Sequence, residues 1–152
     1  PIKGDKRYMN YQKELFQISH KTKIEISGNS SLLDDKTASQ YTKSLLSYLN
    51  EEEPYLIPNL SLRTLADQVQ IHPNKLSWLL NERIGKNFNE FINHYRIEYF
   101  KKLALDPKNS HISLIGLAYE SGFNSKTVFN TYFKKETGLT PKAYLKQNSS
   151  EL

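Results

Sequence analysis

The stretch GFNSKTVFNTYFKKETGLTPKAYL, residues 122–145, decides how the rest of the chain is read. Gly122 permits a tight turn that a β-carbon would crowd. Phe123 is the apolar plug beneath that turn, and Ser125 is a good N-cap for the helix that follows. Within that helix Phe129, Tyr132 and Phe133 recur at helical spacing and are expected to face inward. Lys126, Thr127, Asn130, Thr131 and Lys134 then point outward, a set with no acid and no large aliphatic side chain. Gly138 ends the helix, and Thr140-Pro141 starts another with proline in its first turn. A short polar and cationic helix face on an aromatic underside has the shape and chemistry that a DNA major groove accepts.

The same unit occurs earlier in the chain. Ser61-Leu62-Arg63-Thr64-Leu65-Ala66 aligns with Ser113-Leu114-Ile115-Gly116-Leu117-Ala118 at an offset of 52. After the turn the offset becomes 53: His72 matches Ser125, Leu76 matches Phe129, Leu80 matches Phe133, Gly85 matches Gly138 and Phe91 matches Tyr144. A one-residue insertion confined to the turn, with core positions in phase on both sides, is how two copies of one helical unit should differ.

These residues resemble the DNA-binding domain of the arabinose-regulator (AraC-type, XylS) family of bacterial transcription factors. The resemblance is carried by Leu114, Leu117-Ala118, Gly122-Phe123, Ser125, Phe129, Phe133-Lys134-Lys135, Gly138, Thr140-Pro141 and Tyr144. In the first copy it runs through Leu62, Leu65-Ala66, Leu76-Ser77, Asn81, Gly85, Phe88, Phe91 and Tyr95-Arg96. It covers roughly residues 41–146. It implies an all-α fold: two homeodomain-like helix-turn-helix subdomains joined by a long linking helix, about seven helices in all. It also implies double-stranded promoter DNA as partner, contact with RNA polymerase, and no cofactor. Three positions depart from the pattern. Gly116 sits where a polar helix former is usual, at a cost of about 1 kcal/mol. Gln70 replaces a turn glycine, and Trp78 takes an outward position usually given to a polar side chain.

Composition is consistent with a polyanion partner. Lys and Arg outnumber Asp and Glu by 21 to 16, a net +5 and a pI near 9.3. Residues 121–146 hold five lysines against the single acid Glu136. Glu51-Glu52-Glu53 reads as a solvated acidic helix end turned away from DNA. The chain has no cysteine, so disulfide and thiolate chemistry are excluded, which suits a reducing cytoplasm. No apolar run approaches the ~18 residues needed to span a bilayer, and no signal peptide is visible. The chain begins at Pro1 rather than Met, which reads as an output part whose sensor lies upstream, where a membrane anchor and a homodimer contact could also reside.

Residues 1–37 read as a polar linker or inter-domain arm, or equally a tail without function. Within them a short helix is expected around 9–18, a strand at 23–26 and a flexible break at 28–31. Residues 38–147 form the double helix-turn-helix domain, with 148–152 as a tail. The first unit spans about 41–87, the linking helix about 88–105 and the second unit about 112–147. Helices are expected at 38–52, with Tyr41, Leu45, Leu46 and Leu49 on one face, then at 62–69, 73–84, 88–105, 114–121, 126–136 and 141–147. In the long helix Phe88, Phe91, Ile92, Tyr95, Tyr99 and Leu103 keep one phase. At 1.5 Å per residue it spans about 27 Å, and neighbouring major grooves lie ~34 Å apart. Such a strut would let two recognition helices read adjacent grooves.

Candidate base-contacting residues are Asn74, Lys75, Trp78 and Asn81 in the first recognition helix, above an inward stripe of Leu76, Leu79, Leu80 and Ile84. In the second they are Lys126, Thr127, Asn130 and Thr131. Asn side chains match adenine N6 and N7, and Lys reaches guanine or phosphate. Trp78 either meets a base, through its indole N–H or by packing on a thymine methyl, or is partly buried against a neighbouring helix. Phosphate contacts are expected from Ser61, Ser113 and Ser125 at helix starts and from Lys86, Lys134, Lys135 and Lys142.

Catalysis finds no foothold. His20, His72, His94 and His111 are scattered, and their spacing suits no metal cage; no Gly-rich phosphate loop or nucleophile elbow occurs. His94, Arg96 and Glu98 read as a polar helix face with one buried contact, Arg96 tying the linking helix to its neighbours. The rival function is a helix-turn-helix module that docks a partner protein instead of reading DNA.

Overall fold

The computed structural model describes residues 32–149, so the helix, strand and break expected within 9–31 lie outside the described residues, as does the end of the tail. Every regular element among the described residues is helical. Seven α-helices follow one another: α1 Asp35–Glu52, α2 Leu62–Val69, α3 Pro73–Leu79, α4 Phe88–Leu105, α5 Leu114–Glu120, α6 Lys126–Thr137 and α7 Pro141–Ser149. They form two compact units. One contains the residues up to Pro54 with Leu60–Phe91, and the other contains Tyr55–Asn59 with the residues from Ile92 on.

In the first unit, α1 starts three residues before the expected Ala38 because Asp34 caps it. The Asp34 carboxylate accepts from the Thr37 amide at 2.7 Å, and that bond holds its carboxyl below the ordinary carboxylate range. The helix buries Ala38, Thr42, Leu45, Leu46 and Leu49, whereas Tyr41 is only half-buried. Thr42 can be buried because its hydroxyl donates to the Ala38 carbonyl. Ser61 caps α2 by accepting from Thr64 N, and α2 ends at Gln70.

Gln70 has φ +57°, a left-handed conformation that costs a residue with a β-carbon about 1–2 kcal/mol. The departure noted in the sequence is therefore a strained one. Gln70→Gly is expected to stabilise the protein by up to about 1 kcal/mol, checked by urea denaturation, the gain limited by glycine's greater unfolded-state entropy.

The expected helix 73–84 changes character before it ends. Pro73 opens α3, but Leu80–Ile84 form a π-helical turn that closes on Gly85 at φ +79°. The wider turn brings Leu80, Arg83 and Ile84 inward together. Arg83 is 2% exposed and ion-paired with Asp35.

α4 opens with a reciprocal cap, in which Asn87 Oδ1 accepts from Glu90 N and Glu90 Oε1 accepts from Asn87 N. Its bounds are those expected. Its buried set is wider than the single stripe read from sequence, for Ile97 and Phe100 are fully buried beside Phe91, Ile92 and Tyr95. A helix covered on several sides has no single apolar stripe to read.

Phe100 sits at the centre of the second unit. Its ring lies 4.7 Å from Phe129 and 5.5 Å from Phe133, centroid to centroid, and Phe123 lies 5.2 Å from Phe129. Such tilted and edge-on contacts suit the ring quadrupoles. Leu117, Ala118 and Ile97 complete this core, with Tyr144 of α7 edge-on to Phe133. Ser113 caps α5 through Gly116 N. A β-carbon on Gly116 would lie 3.0 Å from that Ser113 hydroxyl and 3.1 Å from Ile112, so the cap crowds the position where the sequence places a weak helix former.

The duplication seen in the sequence holds in three dimensions. His72 and Ser125 are both N-caps, Leu76 and Phe129 are both buried, as are Leu80 and Phe133, and Gly85 and Gly138 close their helices at φ +79° and +77°.

Candidate nucleic-acid interface

The second recognition helix, α6, is built as its sequence requires. Ser125 Oγ accepts from Val128 N, fixing the first turn, and Phe129 and Phe133 anchor the underside. Lys126, Thr127, Asn130, Thr131 and Lys134 are all exposed on the other side, together with Lys135. Asn130, Thr131, Lys134 and Lys135 line one open depression. Val128 is also exposed, at 38%, so the outward face includes one aliphatic side chain that the sequence reading left out. Its position between two outward residues, Thr127 and Asn130, was the available signal. Lys135 Nζ lies 5.9 Å from the Tyr132 ring centroid, leaning along the helix flank.

In the first unit Leu76, Leu79, Leu80 and Ile84 are buried as expected, and Asn74, Lys75 and Asn81 are exposed. His72 Nδ1 accepts from the Asn74 amide, so an imidazole does the capping that a serine does in the second unit. The Asn81 side chain folds back, its Nδ2 donating to the Ser77 carbonyl at 2.9 Å. One amide hydrogen is thus spent locally, while the Oδ1 acceptor is not used in this bond. Trp78 is half-buried, with the Arg83 guanidinium 5.7 Å from its ring centroid. Partial burial was one of its two readings, and the contact comes from its own recognition element.

The candidate phosphate-contacting residues fall into two kinds. Ser61, Ser113 and Ser125 each use the hydroxyl oxygen as a helix cap. Lys134, Lys135 and Lys142 are exposed cations, and Lys86 is half-buried.

Behind the second face two polar ties hold its scaffold. Arg96, 8% exposed, donates from Nε to the Tyr55 carbonyl at 2.7 Å and from its two terminal nitrogens to Asn93 Oδ1 and the Ile57 carbonyl, both at 2.9 Å. Burial pulls its pKa down to about 10, which still leaves it charged at neutral pH. This is the tie expected from the sequence, now with its partners: Asn93 on α4 itself and the carbonyls of Tyr55 and Ile57, in and just after the 3-10 turn Pro54–Leu56 that follows α1. The other tie is His94 Nδ1 to Glu136 Oε1 at 2.8 Å.

His94, Glu98 and Glu136 offer ligand atoms within 4.8 Å of one another, a cluster that histidine spacing alone could not show because Glu136 arrives from α6. The cluster is served from within the protein, His94 by Glu136 and Glu98 by Lys101 at 2.9 Å. At the repeat offset of 53, Glu136 corresponds to Arg83. Both recognition elements are therefore pinned at the same register by a polar side-chain contact, an Arg83–Asp35 ion pair in the first unit and a His94–Glu136 hydrogen bond in the second.

Two repeated helical units, each with a short capped helix presenting a polar face over an apolar underside, define a double helix-turn-helix protein. Residues 65–147 match the family described as a helix-turn-helix domain. The chain belongs to this family, the AraC-type helix-turn-helix domain of transcriptional regulators.

Among its relatives are the uncharacterized helix-turn-helix-type transcriptional regulator YijO of Escherichia coli K12, 32% identical over 93 residues, and the uncharacterized transcriptional regulatory protein YesN of Bacillus subtilis 168, 33% identical over 89 residues. These alignments cover 61% and 57% of this chain but 32% and 24% of the relatives. An uncharacterized helix-turn-helix-type transcriptional regulator of Staphylococcus aureus strain COL is 29% identical over 130 residues, 86% of this chain and 16% of the relative. The chain thus spans a third or less of the curated relatives it matches. A solved structure of a protein of unknown function from Listeria innocua shares the fold at a TM-score of 0.58 and 32% identity, covering 68% of this chain and 93% of that one. Among the described residues no helix is long and apolar enough to cross a membrane.

Proposed function

We propose that residues 38–147 are the sequence-specific DNA-reading output domain of a transcriptional regulator, placing α3 and α6 in adjacent major grooves of promoter DNA. The observation that carries this reading is the exposed face of α6: six polar or cationic side chains, with no acid among them, above fully packed Phe129 and Phe133. Asn130 and Lys126 read base edges from α6, with Thr127 and Thr131 as small complementary contacts and Val128 available to a thymine methyl. Asn74, Lys75, Trp78 and Asn81 do the same from the first unit, Asn81 through its amide oxygen. Lys86, Lys134, Lys135 and Lys142 meet phosphates, as do the hydroxyls and amides at Ser61, Ser113 and Ser125. RNA polymerase is the partner expected beside a promoter. The greater length of the relatives supports a sensing part elsewhere in the full protein, with any homodimer contact there, and the output domain itself working in the cytoplasm.

Titration of labelled promoter DNA against random DNA at two salt concentrations tests the reading. Preferential, salt-sensitive binding supports it, and equal affinity for both would favour a protein-docking module. Asn130→Ala is expected to cost about 1–3 kcal/mol on the preferred site and to relax discrimination at one base pair. A competition assay against single-base variants of the site checks this, and unchanged discrimination would remove Asn130 from the reading face. A footprint confined to one helical turn of DNA would contradict insertion into two grooves.

A further inference from the structure

The two units carry opposite charge. Among the described residues the first has six Lys and Arg against eight Asp and Glu, a net −2, and the second has nine against four, a net +5. The difference extends to the recognition elements. On the first, Lys75 is offset by the exposed Glu82, and Arg83 is buried and ion-paired with Asp35. On the second, Lys126, Lys134 and Lys135 are exposed, while Glu136, 18% exposed, is turned to His94. Helix α7 adds exposed Lys142 and Lys146.

We propose that the units divide the work: the second supplies the sequence-independent, salt-sensitive attraction to DNA beside its own base contacts, and the first, which gains little from charge alone, adds the larger part of the discrimination between sites. This rests on the DNA-reading function proposed above. Attraction to duplex DNA scales with the number of phosphates neutralised, because each releases condensed counterions. Only the second unit has a surplus of exposed cations with which to do so. The first unit, net acidic, is repelled by a polyanion. It docks where base contacts from Asn74, Lys75 and Trp78 outweigh that repulsion, and elsewhere it stays off. Repulsion of the wrong partner is itself a source of specificity. On random DNA the second unit therefore holds the protein alone, and on the preferred site both units engage.

The test uses the whole chain, a duplex selected from a random pool and a random duplex of equal length, titrated over a range of salt. Lys134→Gln/Lys135→Gln is expected to reduce the log–log salt slope on both duplexes by about 2, at roughly 0.9 per phosphate contact. Lys75→Gln/Lys86→Gln should weaken the selected site while lowering the random-duplex slope by less than about one. Glu52→Gln/Asp67→Asn/Glu82→Gln should tighten random-duplex binding severalfold and narrow the ratio between the two duplexes. Circular dichroism melts confirm that each variant is folded. The proposal is overturned if Lys75 and Lys86 cost the random duplex as much slope per lysine as the α6 set, or if removing the acids leaves random-duplex affinity unchanged. A parent protein that binds neither duplex would instead overturn the DNA-reading function itself.

Discussion

Gly122→Ala is expected to lower unfolding free energy by about 3–5 kcal/mol, enough to unfold a large fraction of a domain of ordinary stability. Two costs combine. Gly122 has φ +100°, which a residue with a β-carbon adopts only under strain. The added carbon would also lie 2.1 Å from the Tyr55 carbonyl oxygen, 2.9 Å from Arg96 Nε and 3.1 Å from Leu56 Cα. Backbone stands on two of those three sides, so relief requires the segment at Tyr55 to move and the Arg96 hydrogen bonds to stretch. Gly138→Ala separates the two costs, because Gly138 has φ +77° and nothing within 4 Å of an added carbon. It should cost only about 1–2 kcal/mol. Urea denaturation of the two variants checks the difference, and equal losses would show that the close approach at Gly122 has no energetic weight.

Arg96→Met should cost a similar amount, about 3–5 kcal/mol, although methionine keeps most of the apolar stem. The guanidinium gives hydrogen bonds to two backbone carbonyls and one side-chain amide from a site only 8% exposed. Removing it leaves the buried Tyr55 carbonyl and the buried Asn93 side chain without this donor where water enters poorly, whereas Ile57 is 45% exposed. Arg96→Lys recovers only part of the loss, since one ammonium cannot reproduce the planar fork. Released from α4, the segment 55–57 would loosen its hold beneath the Gly122 turn, and DNA affinity should fall with stability. Denaturation melts together with hydrogen exchange at residues 55–57 check this. Protection unchanged in Arg96→Met would show that the segment is held by packing alone, through Tyr55 stacked 5.3 Å from Tyr95.

These two residues also show where sequence reading reaches its limit. Gly122 is legible as a turn glycine because helix, glycine, apolar plug and N-cap occur in order, and local chemistry dictates that order. The reason that nothing larger fits is the carbonyl of Tyr55, 67 residues away in sequence, and no local pattern contains it. The π-helical turn at Leu80–Ile84 is hidden for the same reason. Its sequence satisfies an ordinary helix, and the pairing of Arg83 with Asp35 is a tertiary contact. Ile97 and Phe100 are missed because a helix buried on several sides gives no single period to detect.

By itself the sequence determined the number of helices, all but one of their starts and the family, because caps, prolines, helix-ending glycines and apolar spacing act within a few residues of one another. It also determined most of the exposed face on α6, since anchoring Phe129 and Phe133 inward turns Lys126, Thr127, Asn130, Thr131 and Lys134 outward, with Val128 the exception. Tertiary structure alone decided how those helices are held: which carbonyls Arg96 satisfies, and that Asp35 reaches Arg83 on one recognition element while His94 reaches Glu136 on the other. Those are contacts between residues far apart in the chain, fixed by packing and burial, and a one-dimensional pattern does not encode them.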